Sequence, residues 1–179
     1  MFSDGSYQYS RREDKRFAIF GRESIPYLKK GLELEVSNVE KTRYHAIMGL
    51  NLFYIEEYVE AEKHYLKGME LTKEKGEVAY PRPFISLSDW LGMNYETRYK
   101  IEKNPQYLLK ANEVYNKSVL VWNASFGKEN FNDSYHNSAF SKLVNNHLDL
   151  FEISKDSLHL HKAFSFLEQS KYPDLFDKD

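Results

Sequence analysis

Apolar residues recur at intervals of three and four along most of this chain, the spacing that lines one face of an α-helix. Ile25, Leu28, Leu32 and Val36 form one such face. Ser24 is the expected N-cap of that helix, with Pro26 in its first turn, where a missing N–H costs nothing. A shorter helix is predicted over Arg11–Gly21, where Phe17, Ile19 and Phe20 follow a charged run. Residues 1–10 are polar and without period, and read as a flexible lead-in. Thr42–Lys75 predicts two helices folded against each other, ended by Gly76, since glycine readily takes the left-handed conformation that terminates helices. Pro81 and Pro83 break any continuation, Asn104-Pro105 has the form of a helix start, Gly127 is the expected terminator after Ser125-Phe126, and Pro173 stops the last helix. The expectation is an all-α chain: a single helical domain over residues 11–171, with 172–179 as a tail.

The pattern also repeats. Lys30-Gly31-Leu32-Glu33-Leu34 returns 37 residues later as Lys67-Gly68-Met69-Glu70-Leu71. Leu143–Ser170 aligns under Leu91–Ser118 at an offset of 52 without a gap, with eight of 28 positions identical, among them Leu91/Leu143, Asn94/Asn146, Lys103/Lys155 and Ala111/Ala163. The start signal Asn104 falls on Asp156, another good cap, and Tyr99 falls on Phe151. Ala61 follows Gly49 by twelve residues, whereas Ala111 follows Gly92 by nineteen. The excess of seven is about one extra turn on each of two helices, at ~3.6 residues per turn, so the buried faces stay in phase. About four helical hairpins result.

Gly49, then Tyr58, Ala61, Tyr65 and Gly68, resemble the signature of a tetratricopeptide repeat, a helix–turn–helix unit of about 34 residues. The resemblance implies a right-handed superhelix of antiparallel helix pairs. It assigns Gly49, Tyr58, Ala61, Tyr65, Gly68, Gly92, Ala111, Tyr115 and Ala163 to packing within and between repeats. It assigns the binding groove to first-helix residues: Arg43, Leu50, Asn51 and Tyr54 in one repeat, Ser86, Asp89, Met93, Asn94 and Thr97 in the next. Asn51, Asn94 and Asn146 recur at one repeat position. Each amide could hold a peptide backbone or bridge neighbouring helices, since it offers both donor and acceptor. Co-chaperone repeats clamp a terminal carboxylate with Lys and Asn; Ala46, Leu50 and Asp89 stand here instead, which disfavours that ligand. A second resemblance rests on Tyr107–Ser118, on Ser125-Phe126-Gly127 and on Leu160–Lys171, with its Lys-Ala-Phe-x-x-x-Glu-x-Ser-Lys form. Roughly residues 85–171 resemble the repeat array preceding the caspase-like CHAT domain in bacterial TPR–CHAT proteins. That implies a regulatory or docking array. The family's catalytic His and Cys lie beyond this stretch, so no proteolysis carries over.

Composition narrows the function classes. With 14 Tyr and 12 Phe against 8 Gly and 5 Pro, the chain is built for long packed elements and few turns. A net charge of −2 with interspersed signs offers no basic stripe, which excludes nucleic acid as the expected partner. There is no cysteine, hence no disulfide, thiol chemistry or thiolate metal site. No apolar run approaches the roughly 18 residues of a membrane helix, and the expected compartment is cytoplasmic. His159 and His161 point about 200° apart on a helix, and His45, His64, His136 and His147 have no partner spacing. Ser125-x-x-Lys128 lacks the companion motifs of serine–lysine hydrolases, and no phosphate loop or nucleophile elbow occurs. The chain therefore reads as no enzyme, without cofactor or metal. The expected function is a protein–protein interaction scaffold binding a protein or peptide, in the second resemblance the array of a CHAT-protease-type system. The other class left open is a sensor that binds a small peptide or metabolite within the superhelix.

Overall fold

The computed structural model describes residues 4–34, 36–126 and 134–171. Among these the chain is all-α, with seven helices and one minimal β-hairpin. Its contacts fall into two compact units, Met1–Glu77 and Val78–Asp179.

In the first unit, α1 (Asp4–Glu33) is one continuous helix of 30 residues. This corrects two expectations. Asp4–Ser10 belong to the helix and not to a lead-in, because extending a formed helix gains one backbone bond per residue fixed and needs no apolar face. Met1–Ser3 lie outside the described residues. Ser24 does not cap a helix start, and Pro26 sits inside α1. The Ser24 hydroxyl donates to the Gly21 carbonyl (3.0 Å) and accepts from Asn51 Nδ2 (2.6 Å) on α2, so it fastens two helices together.

The second helix, α2 (Asn38–Tyr54), starts four residues before Thr42, at a capping box: the Ser37 hydroxyl accepts from the Glu40 N–H, and Glu40 Oε2 accepts from the Ser37 N–H. These hydrogen bonds from Ser37, side chain first, hold the Glu40 carboxyl below its usual range. After a turn at Glu56 (φ 68°), α3 (Tyr58–Leu71) returns along α2. The seam is made by size. A Cβ on Gly49 would stand 2.5 Å from the Tyr65 ring, which is fully buried beside Ala61 and Met48. Gly31 receives the Tyr44 ring in the same way, at 2.8 Å, between α1 and α2. Gly76 does not terminate α3, which ends at Leu71. It turns a hairpin between β1 (Lys73–Glu74) and β2 (Glu77–Val78), with positive φ at both Lys75 (53°) and Gly76 (87°), as a tight two-residue hairpin turn requires.

The second unit is built from α4 (Pro81–Glu102), α5 (Gln106–Phe126), α6 (Ser134–Ser154) and α7 (Ser157–Lys171). Pro81 and Pro83, expected to break a continuing helix, instead open α4, at positions where a proline needs no N–H partner. The repeat at offset 52 is geometric as well as sequential. Lys103 and Lys155 both adopt the left-handed conformation (φ 56° and 57°), and their N–H groups bond the Tyr99 and Phe151 carbonyls at 2.8 Å. Their ammonium groups both lie 5.9 Å from the ring centroids of those same residues. Asn104 Oδ1 caps α5 through the Gln106 N–H (3.0 Å), and Asp156 Oδ1 caps α7 through the Leu158 N–H (2.9 Å). Leu91, Leu143, Ala111 and Ala163 are all buried. Gly92 meets Tyr115 as Gly49 meets Tyr65, with a Cβ placed only 2.3 Å from the ring. Gly127, Pro173 and the expected tail lie outside the described residues.

Adding the Cβ at Gly92 forces a buried ring to move. Gly92→Ala is expected to lower unfolding free energy by about 2–3 kcal/mol, the upper range for overpacking, and Gly76→Ala by about 1 kcal/mol, from backbone strain alone. Urea unfolding of the two variants checks the order; equal losses would remove the Gly92–Tyr115 contact from its structural role.

Candidate ligand-binding cleft

The Tyr115 ring fills the space left by Gly92, and its hydroxyl ends among polar side chains of α4 and α6. Asp89 and Glu96, two turns apart on α4, share that face with Tyr99 and Lys100. From α6 come Lys142, Asn145, Asn146 and Asp149, three and four residues apart and therefore on one side of the helix. Around Leu108 of α5, these residues other than Asp89 line a cleft of about 170 Å³.

The cleft's electrostatics follow from burial. Lys142 Nζ is 3.7 Å from Asp89 Oδ1 and 5.1 Å from the Tyr115 ring centroid. Burial raises the Asp89 carboxyl above its usual range, against the pull of Lys142. Burial also raises Glu96, opposed by the Tyr115 hydroxyl, Lys142, Lys100 and Asn146 in that order. The Tyr115 hydroxyl and Asn146 amide approach the Glu96 carboxylate, but neither completes a well-formed hydrogen bond. Burial, then Glu96 and Asp89, push the Tyr115 phenol far up, so it stays protonated as a donor. Asp149 is raised by burial and by Glu152. Asn146 is only 3% exposed, and its Nδ2, turned toward Glu96, completes no well-formed hydrogen bond in the protein. A buried amide without a partner costs roughly 1–3 kcal/mol.

The groove residues expected from the repeat resemblance are distributed differently. Ser86, Asp89, Met93 and Thr97 are half-buried along α4, but of these only Asp89 joins the polar cluster, through Lys142. Asn94 is fully buried in the core. In the first unit Arg43 is exposed, Leu50 and Tyr54 are half-buried, and Asn51 is engaged with Ser24 of α1, so its role is a bridge between helices. Glu96, Lys100, Lys142 and Asp149 were not singled out from the sequence. Glu96 and Lys142 carried a signal, as half-buried polar residues on helices whose packed face should have been apolar; Lys100 and Asp149 are exposed and carried none.

The histidines also pair where spacing gave no hint. His45 Nδ1 lies 2.9 Å from His64 Nδ1 between α2 and α3, and His147 Nδ1 lies 3.1 Å from His159 Nδ1 between α6 and α7. At these distances one ring donates and the other accepts. Burial, then His64 and Lys67, push His45 down to about 4, and burial lowers His64 as well. His161 does point away from His159, with Nδ1 2.8 Å from the Ser157 carbonyl of its own helix. The His136 side chain lies outside the described residues. Among the described residues no group of three or more His, Asp or Glu is arranged to hold a metal ion, and no helix is long and apolar enough to cross a membrane.

Comparison with protein-family models, with curated proteins and with solved structures finds no match.

Lys142 is the cation that answers buried Asp89. Lys142→Met is expected to cost about 2–3 kcal/mol at pH 7, since it strands a largely buried carboxylate. The loss should shrink as pH falls and Asp89 takes up a proton, because the variant raises that carboxyl further still. Urea unfolding at pH 7 and pH 4.5 reads both; a cost independent of pH would mean that the pair is not electrostatically coupled.

Proposed function

We propose that the chain is a helical-repeat interaction module of the tetratricopeptide kind, and that the α4–α6 cleft receives one polar side chain or main-chain amide of a protein or peptide partner. The observation that carries this reading is Asn146: an amide buried to 3% exposure, lining a cleft, whose nitrogen faces Glu96 without completing a well-formed hydrogen bond. Buried polar groups are normally satisfied, and an orphan beside a cleft is what an incoming acceptor would complete. Glu96 and Asp149 supply acceptors and Lys100 and Lys142 donors, so a group that hydrogen-bonds in both directions fits the lining better than a bare charge. At about 170 Å³ the cleft is well below the ~300–1,000 Å³ of drug-sized ligand sites. That size favours one residue of a partner over a whole metabolite, and hence a scaffold over a metabolite sensor. The Gly–Tyr seams and the twice-used Lys–Asn/Asp turn support a repeat architecture. The likeness of residues 85–171 to arrays upstream of CHAT domains supports a docking or regulatory role.

Selection of peptides displayed against the full chain, followed by calorimetry, tests the reading. Asn146→Leu removes an orphan amide, so its stability is expected to be unchanged or higher. Its affinity for a selected peptide should fall about tenfold, or ~1.4 kcal/mol. Unaltered affinity in Asn146→Leu and in Glu96→Gln would move the binding site elsewhere.

A further inference from the structure

The α6–α7 hairpin closes on two histidines where the α4–α5 hairpin closes on two tyrosines. His147 and His159 stand 52 residues beyond Tyr95 and Tyr107. The tyrosine rings stack with centroids 6.3 Å apart and planes at 18°, the histidine rings with centroids 5.3 Å apart and planes at 29°. A lysine recurs at each seam. Lys110 Nζ is 5.3 and 5.8 Å from the Tyr95 and Tyr107 centroids, and its counterpart Lys162 acts on His147. A lysine over two phenol faces is attracted to them whatever the pH below its own titration. Beside two imidazoles, the sign of its interaction depends on their protons.

The Nδ1 atoms of His147 and His159, 3.1 Å apart, can share one proton and no more. A second proton sets two donors and two positive charges face to face. His147 is 4% exposed, and the Phe166 ring covers it at 5.6 Å with planes at 13°, so water does little to screen the repulsion. The charged groups acting on it, His159 and Lys162, both come from α7 and both oppose its protonation. On α5, Lys110 lies over the tyrosine rings, and Glu113 and Lys117 form an exposed ion pair with each other at 2.6 Å.

We propose that the His147–His159 contact is an acid-sensitive latch between α6 and α7, regulating the cleft whose Lys142, Asn145, Asn146 and Asp149 are all carried by α6. That the cleft binds a partner rests on the function proposed above; the latch itself does not. Burial, then His159, then Lys162, hold His147 down at about 4, against an ordinary value of 6.5. A depressed histidine gives the closed hairpin stability that is fully present above about pH 6.5. It is lost as pH falls toward 4, because the opened state binds the extra proton.

Hydrogen exchange of the full chain, corrected for intrinsic rates and read helix by helix between pH 7 and pH 5, tests the latch without any partner. Uptake of one proton on opening makes the opening equilibrium of α6–α7 rise by up to about tenfold per pH unit below 6.5, while the α4–α5 seam stays flat. His147→Tyr/His159→Tyr, which copies the pair of the preceding hairpin, should abolish the slope. Parallel loss in both hairpins, or a slope that survives in the double variant, would overturn the proposal. Should that variant fail to fold, NMR titration of the His147 ring in the native chain decides: a midpoint well below 6.5 is expected, and one at 6.5 refutes the latch.

Discussion

Everything in each unit depends on a ring meeting a missing side chain. Gly49 and Gly92 carry no Cβ, so Tyr65 and Tyr115 can lie directly on the backbone of the facing helix. That contact sets how closely α2 approaches α3 and α4 approaches α5. Ala61 and Ala111, four residues before each tyrosine and fully buried, keep the same face thin. Register follows from it, because a one-turn slip would drive each ring into a side chain.

The ring contact also has a chemical cost, met differently in the two hairpins. Tyrosine ends in a hydroxyl, and packing its ring against a glycine drives that hydroxyl deep into the seam. Neither the Tyr65 nor the Tyr115 hydroxyl has a well-formed partner, and burial raises both phenols. At the positions of Asp89 and Glu96, the first unit has Ala46 and Phe53. In the second unit those carboxylates, with Lys142 and Asn146, gather about the buried phenol. The cleft is thus a by-product of packing that only one hairpin has furnished with charge.

The helical class, the two long hairpins of the second unit and their caps were legible because each rests on local chemistry: prolines at a helix start, Asn104 and Asp156 as caps, apolar positions at three and four. The Ser37–Glu40 capping box is the same kind of local signal, and it starts α2 four residues ahead of Thr42. Pro26 misled for a physical reason: it suits a first turn, but a long helix packed through Gly21 and Gly31 tolerates it inside. The site was less legible. Asp89 and Lys142 meet only because α4 and α6 lie alongside the same α5, and His147 meets His159 across a turn whose left-handed Lys155 carries no glycine to announce it. Pairings of that kind come from tertiary placement, which residue spacing does not encode.

The main helix contacts run between successive helices within each unit: α1 with α2, α2 with α3, α4 with α5, α5 with α6, and α6 with α7. Few distant stretches of chain must find each other, so little loop-closure entropy is spent before contacts form. Folding on the fast side for a chain of this length follows, beginning in whichever hairpin closes first and spreading to its neighbours. The same locality suits growth by duplication. A hairpin copied in whole would bring its own seam, cap and turn with it, as the 52-residue echo between α4–α5 and α6–α7 repeats cap and turn together.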